Sequence, residues 1–183
     1  MSLLTKQKAF SLLAVCVTFF SFVANAQSPE DLKTQIIKDW ERAKSYTQDY
    51  LNTMPADKYS FKATDSVRSF AQQMIHLAQG TVFIISTGAG SQPIFGERDI
   101  EHSAGAQSKD SVAYFVNASY DYAINTIKNL DVSKFTETAK AFGMEMPRWI
   151  WLMKAFEHQT HHRGQTTIYI RLVGLKPPGE RLF

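Results

Sequence analysis

Four long segments of this chain repeat their apolar residues every three or four positions, and no segment alternates with period two long enough to demand a sheet. Helices built this way bury a stripe each and must pack on one another. The expected fold class is therefore all-α, a four-helix bundle with long inter-helix connections.

The first segment opens at Ser28-Pro29-Glu30-Asp31, where serine can cap, proline suits the first turn and acids favour the positive end of the helix dipole. Ile36, Trp40, Ala43, Thr47, Tyr50 and Met54 form its stripe, and Pro55 ends it. A second helix is expected to start near Asp65-Ser66 and stop by Gly88-Ala89-Gly90, with Val67, Phe70, Gln73, Leu77, Gly80, Phe83 and Ile84 on one face. His76 sits on the edge of that face. Residues 89–107, rich in Gly, Ser, Ala and Gln, read as one long loop, and loops of that length are usually functional or mobile. The third helix begins at Ser108-Lys109-Asp110 and turns Val112, Val116, Ser119, Ala123, Ile127 and Leu130 inward. A shorter amphipathic helical piece is expected over Val132 to Phe142. The fourth helix opens at Pro147 and runs to about Val173, with Gly174 and Pro177-Pro178 as its stop. Trp40, Trp149 and Trp151 read as core aromatics, and Arg163 as a tether from the fourth helix to an acid or the C-terminus.

Residues 1–26 are expected to be a signal peptide. Lys6 and Lys8 form a basic start, an apolar run follows from Ala9 to Val23, and Ala24-Asn25-Ala26 is an A-x-A cleavage pattern. The run is interrupted by Ser11, Thr18 and Ser21 and is short for a spanning helix of roughly 20 residues. The domain is then residues 27–183, located in the periplasm or secreted, with no stable membrane span after cleavage. Cutting there also removes Cys16, the only cysteine, so the mature chain has no disulfide and no thiolate ligand. Lys and Arg fall from 20 to 18 against 17 acids, leaving a net charge of +1 and no basic surplus for nucleic acid.

The chemistry is concentrated in Glu157-His158-Gln159-Thr160-His161-His162-Arg163-Gly164-Gln165. Residues four apart share a helix face, so His158 and His162 can present two imidazoles to one ion. They share that face with Trp151, Ala155, Gln165 and Tyr169; His161 lies about 100° round from His162. His76 is the candidate third ligand, because an unpaired imidazole mid-helix among Met74, Leu77 and Ala78 is costly to bury. Three imidazoles with open positions make a catalytic zinc-type site. The spacing alone equally allows histidines that bond carbonyls or face solvent. Gln159 stands where the H-E-x-x-H metalloproteases have glutamate, so that mechanism lacks its base. Glu157 points about 100° away from His158, and His102 falls in the long loop as a surface residue.

Two blocks give the chain a resemblance to the DinB-like (DinB/YfiT) superfamily of bacterial four-helix bundles. One runs from Met54-Pro55-Ala56-Asp57-Lys58-Tyr59-Ser60-Phe61-Lys62 through Ser66-Val67-Arg68-Ser69-Phe70 to His76-Leu77-Ala78. The other is His158-Gln159-Thr160-His161-His162-Arg163-Gly164-Gln165 with the closing Gly174-Leu175-Lys176-Pro177-Pro178. The resemblance implies a metal triad of His76, His158 and His162. Neutral imidazoles suit one divalent transition-metal ion, zinc, nickel or similar. Gln165, one turn beyond His162, can orient a metal-bound water or equally bond the next helix, and His161 is the other candidate outer contact. The resemblance also implies that Tyr59 and Phe61 pack over the bundle end near the ion, and that the protein can form a homodimer. Family members include thiol-dependent transferases and an isomerase, since a tri-histidine metal lowers the pKa of a bound thiol or water. An exported chain fits a metal-dependent hydrolase or transferase acting on a small molecule through water better than through a cytosolic thiol. The alternative is a non-catalytic bundle that holds a metal or ligand.

Overall fold

A computed structural model describes residues 28–96 and 98–183; the expected signal peptide lies outside the described residues. Helix α1 spans Pro29–Thr53, α2 Phe70–Ala89, α3 Lys109–Asn129 and α4 Arg148–Leu172. Between α3 and α4 lies a hairpin of β1, Thr138–Ala141, and β2, Met144–Pro147. Helix α2 packs between α3 and α4, and α1 lies against the same two helices on the far side, closing a four-helix bundle. Among the described residues no helix is long and apolar enough to cross a membrane.

The start of α1 follows its sequence signal. Ser28 accepts from the Asp31 N–H at 3.1 Å while Asp31 accepts from the Ser28 N–H at 3.2 Å, a reciprocal capping box with Pro29 in the first turn. Trp40 is fully buried, edge-on to Tyr120 and Phe156 at 5.6 and 5.5 Å. Met54 caps the other end, ahead of Pro55.

Helix α2 starts four residues later than Ser66. Ser69 and Gln72 form a second capping box, and the linker completes it. The Phe70 N–H bonds the Phe61 carbonyl at 3.0 Å and the Ala71 N–H bonds the Tyr59 carbonyl at 2.9 Å. Those carbonyls satisfy donors that a helix start leaves orphaned. At the earlier position Thr64 and Ser66 bond each other instead, at 3.1 Å. Val67 therefore lies outside the helix and is exposed. The segment from Ser91 to Gln107 is a long connection with one short 3-10 turn at Ala104–Ala106, anchored by the buried side chains of Phe95, Ile100 and Ala106.

No amphipathic helix fills residues 132–142. A 3-10 turn covers Val132–Lys134, and β1 then pairs antiparallel with β2, Ala141 opposite Met144. Each strand has only four residues, too few for alternation to register as a pattern. The hairpin is pinned to α4 by the Trp151 indole N–H, which donates to the Ala139 carbonyl at 3.0 Å. Glu137 and Phe135 carbonyls accept from the Arg148 and Trp149 N–H groups at 2.8 and 3.2 Å, satisfying the first turn of α4. Trp40 and Trp151 are core residues, but Trp149 is 38% exposed. Among the described residues Arg163 pairs with no acid: it is buried, donates to Gln159 Oε1 at 2.9 Å, and lies over the Tyr46 ring at 4.5 Å.

Candidate metal centre

The three histidines predicted to act together do meet. His76 comes from the middle of α2, His158 and His162 from successive turns of α4, and one nitrogen from each lies within 4.8 Å of the other two. Ring centroids are 4.4 Å apart for His158–His162, 4.5 Å for His76–His162 and 5.5 Å for His76–His158. The helices can approach this closely because residue 80 is glycine. A Cβ there would overlap Cε1 and Nε2 of the His158 ring, so any other residue would evict that imidazole. Gly80 thus makes room for the histidine of the facing helix.

Each ring has a distinct environment. His76 Nδ1 lies 2.8 Å from Glu101 Oε2, and Glu101 Oε1 accepts from Arg68 Nε at 2.5 Å. Arg68 Nη2 also comes within 3.2 Å of His76 Nδ1. The guanidinium can only donate, so both groups cannot donate to each other. The shorter carboxylate contact decides: Nδ1–H donates to Glu101, which leaves the Nε2 lone pair free. A carboxylate behind a histidine is the usual way to fix the tautomer of a metal ligand. His162 Nδ1 lies 2.7 Å from the Gln73 amide, which also bonds Gln165. A half-turn of the Gln73 amide together with one of Gln165 presents the Gln73 oxygen to His162 Nδ1–H and keeps the Gln73–Gln165 bond with its direction reversed, again freeing Nε2. His158 Nδ1 is buried and has no hydrogen-bond partner among the described residues.

Electrostatics keep the pair on α4 neutral. Burial, then the His76, His161 and Arg68 charges, push the His158 pKa down to about 4. Burial, then its three histidine neighbours and Arg68, push His162 down to about 3. Both imidazoles therefore carry free lone pairs at neutral pH, the state a cation requires. The donor set fits a borderline transition metal: three imidazole nitrogens and no cysteine among the described residues. The unpartnered His158 nitrogen and the space kept by Gly80 point the same way.

The other residues singled out in the sequence fall outside the triad. His161 is exposed and meets Gln165 at 3.0 Å; Gln165, expected on the inward face, is also exposed and bridges His161 to Gln73. His102 is an exposed loop residue paired with Asp99 at 2.8 Å. Glu157 is turned to Lys154 at 2.6 Å. Tyr59 packs on Phe70 with its hydroxyl on the Leu51 carbonyl, and Phe61 packs on Tyr169; the linker residue that reaches the histidines is Arg68. Glu101, Gln73 and Arg68 are the contacts that sequence reasoning missed. Glu101 had no local signal, because the long connection must fold back before its carboxylate meets α2.

A cavity of about 630 Å³ opens beside the triad, with His76, His158 and Glu101 in its lining. The fold and the cluster together define a class: four-helix bundles that gather histidines from two facing helices around one point. The DinB family profile matches residues 26–181, and the chain belongs to the DinB family. It is 27% identical over 150 residues to YrdA of Bacillus subtilis, covering 78% of this chain and 84% of that protein. The fold matches a DinB-like protein from Bacillus cereus with TM-score 0.68 at 22% identity, covering 80% of this chain and 95% of the other. It also matches the DinB-like protein YjoA of Bacillus subtilis with TM-score 0.65 at 16% identity, covering 80% and 96%. A conserved protein of Enterococcus faecalis gives TM-score 0.62 at 15% identity, covering 76% and 95%. At these identities the structures speak for the fold alone.

Proposed function

We propose that this DinB-family protein is exported, binds one divalent transition-metal ion at His76, His158 and His162, and acts as a metal-dependent hydrolase or transferase on a small molecule. The observation that carries the reading is the meeting of three imidazoles beside a cavity that His76 and His158 line, with a buried His158 nitrogen that no group among the described residues satisfies. An ion held there would act as a Lewis acid and lower the pKa of an oxygen or sulfur ligand.

The chain's own residues would divide the work. His76, His158 and His162 supply the ligand atoms. Glu101 orients His76 and, with the Arg68 guanidinium beside it, sets the local charge. Gln73 orients His162. The cavity is of a size to admit a small molecule.

A second reading, a bundle that binds metal and ligand without catalysis, is favoured by one feature. Among the described residues, the two carboxylates in the cavity lining are already engaged, Asp99 with His102 and Glu101 with His76 and Arg68. Neither is free to act as a general base.

Metal analysis of the purified protein and of His158→Ala and His162→Ala tests the shared part of both readings. We expect one ion per chain in the parent and loss of it in each variant. An empty parent would sink both. A hydrolytic screen of the loaded protein, with the metal-stripped protein as control, then separates enzyme from binder. N-terminal sequencing of the exported product checks cleavage after Ala26, and sedimentation equilibrium checks the homodimer that the family resemblance implies.

A further inference from the structure

The turn of the hairpin carries a residue that local preference argues against. Ala141 pairs with Met144, so Phe142 and Gly143 are a two-residue connection, with φ of 52° and 74°. Positive φ at both positions is the type I′ pattern, which strongly favours Asn-Gly or Gly-Gly. A bulky aromatic at positive φ is an outlier that persists only when something holds it. Phe142 is the one non-glycine residue at positive φ among the described residues.

What holds it lies at the cavity. The Phe142 ring is 5.0 Å from Phe83 and 6.5 Å from Trp151, measured between centroids. It nevertheless remains 69% exposed, and Phe83 44%, so the two rings do not bury each other. Both line the cavity that ends at His76 and His158, together with Val82, Pro93 and Phe95. A solvent-facing aromatic pair beside a cluster of free imidazoles offers an apolar surface at one end and ligand atoms at the other. The volume, about 630 Å³, suits a small organic molecule.

We propose that Phe142 is a specificity-determining residue of the histidine centre. With Phe83 it forms an aromatic clamp that selects substrates with an aryl or similarly apolar body, whose polar end is directed at His76 and His158. This rests on the metal-centre reading above, and it adds the substrate class.

The test uses hydroxamates, which join a metal-seeking head to a chosen body. Calorimetry compares acetohydroxamate with benzohydroxamate on the zinc-loaded protein and on Phe142→Asn. Asparagine is favoured in this turn, so the variant keeps the hairpin. The parent is expected to bind benzohydroxamate about tenfold tighter than acetohydroxamate, given the apolar area a phenyl ring adds. In Phe142→Asn most of that advantage disappears while acetohydroxamate affinity and zinc stoichiometry stay at the parent's values. An aryl preference that is absent in the parent, or that survives intact in Phe142→Asn, overturns the clamp and leaves the metal centre standing. Failure of the parent to take up zinc overturns both together. A purely structural Phe142 would instead show as a lower melting temperature in Phe142→Asn with the aryl preference unchanged.

Discussion

At the scale of single residues, the centre depends on groups that hold the histidines as much as on the histidines themselves. Glu101 is 8% exposed and bonds both His76 and Arg68. Replacing it by glutamine removes the charge but keeps the shape. Contacts of this kind typically change metal affinity by about 10–100-fold, so Glu101→Gln should weaken zinc binding by that range in a competitive chelator titration. Unchanged affinity would mean that the carboxylate serves only Arg68. Gly80→Ala should be worse, because the added carbon overlaps the His158 ring; loss of the ion with the helical circular dichroism retained is the expected outcome. The pKa values give a pH prediction for the metal-free protein. His158 and His162 titrate lower when folded than the ordinary 6.5, so the unfolded chain binds more protons below that pH. Their contribution to stability is thus fully present above about pH 6.5 and is lost as pH falls toward about 4 and then about 3. Urea midpoints of the metal-free protein should decline over that window, and less so in His162→Ala.

At the scale of elements, what could be foreseen from the sequence divides by how local its cause is. The starts of α1 and α3 and the stop of α4 were legible because caps, prolines and glycines act within a few residues. The face carrying His158 and His162 was legible for the same reason, since 3.6-residue periodicity fixes it. The start of α2 was misplaced because Asp65-Ser66 and Ser69 are equally plausible caps by composition. The Phe61 and Tyr59 carbonyls decide for Ser69, and their arrival depends on the path of the linker. Ser69→Ala should then cost about 1 kcal/mol of unfolding free energy by urea denaturation, as loss of a serine cap usually does. The hairpin was missed because its strands are short and its turn carries Phe142 where asparagine would have announced it. Its place is set by tertiary contacts, above all the Trp151 bond to Ala139. Glu101 was beyond reach for a similar reason: a loop residue 25 positions from His76 gains its role only when the chain folds back.

For the whole molecule, the bundle explains why His76 and a histidine pair that starts 82 positions later can form one site. Helix α2 packs along α4, and the contact between them passes through Gly80, which sets His76 against the two histidines of the next helix. A folded protein that binds an ion its unfolded chain does not is stabilised by mass action. With free zinc at about 100 times the dissociation constant, the gain is about 2.7 kcal/mol. For a domain of this size that corresponds to a rise in melting temperature of roughly 5–10 °C. His158→Ala should show no such rise under the same conditions.

Whether His76, His158 and His162 hold one ion together is read directly by anomalous diffraction from crystals grown with zinc. A single strong peak bonded to one nitrogen of each of the three rings, at about 2.0–2.1 Å, is expected. A map with no peak between α2 and α4, or with zinc only at His161 or His102, would contradict it.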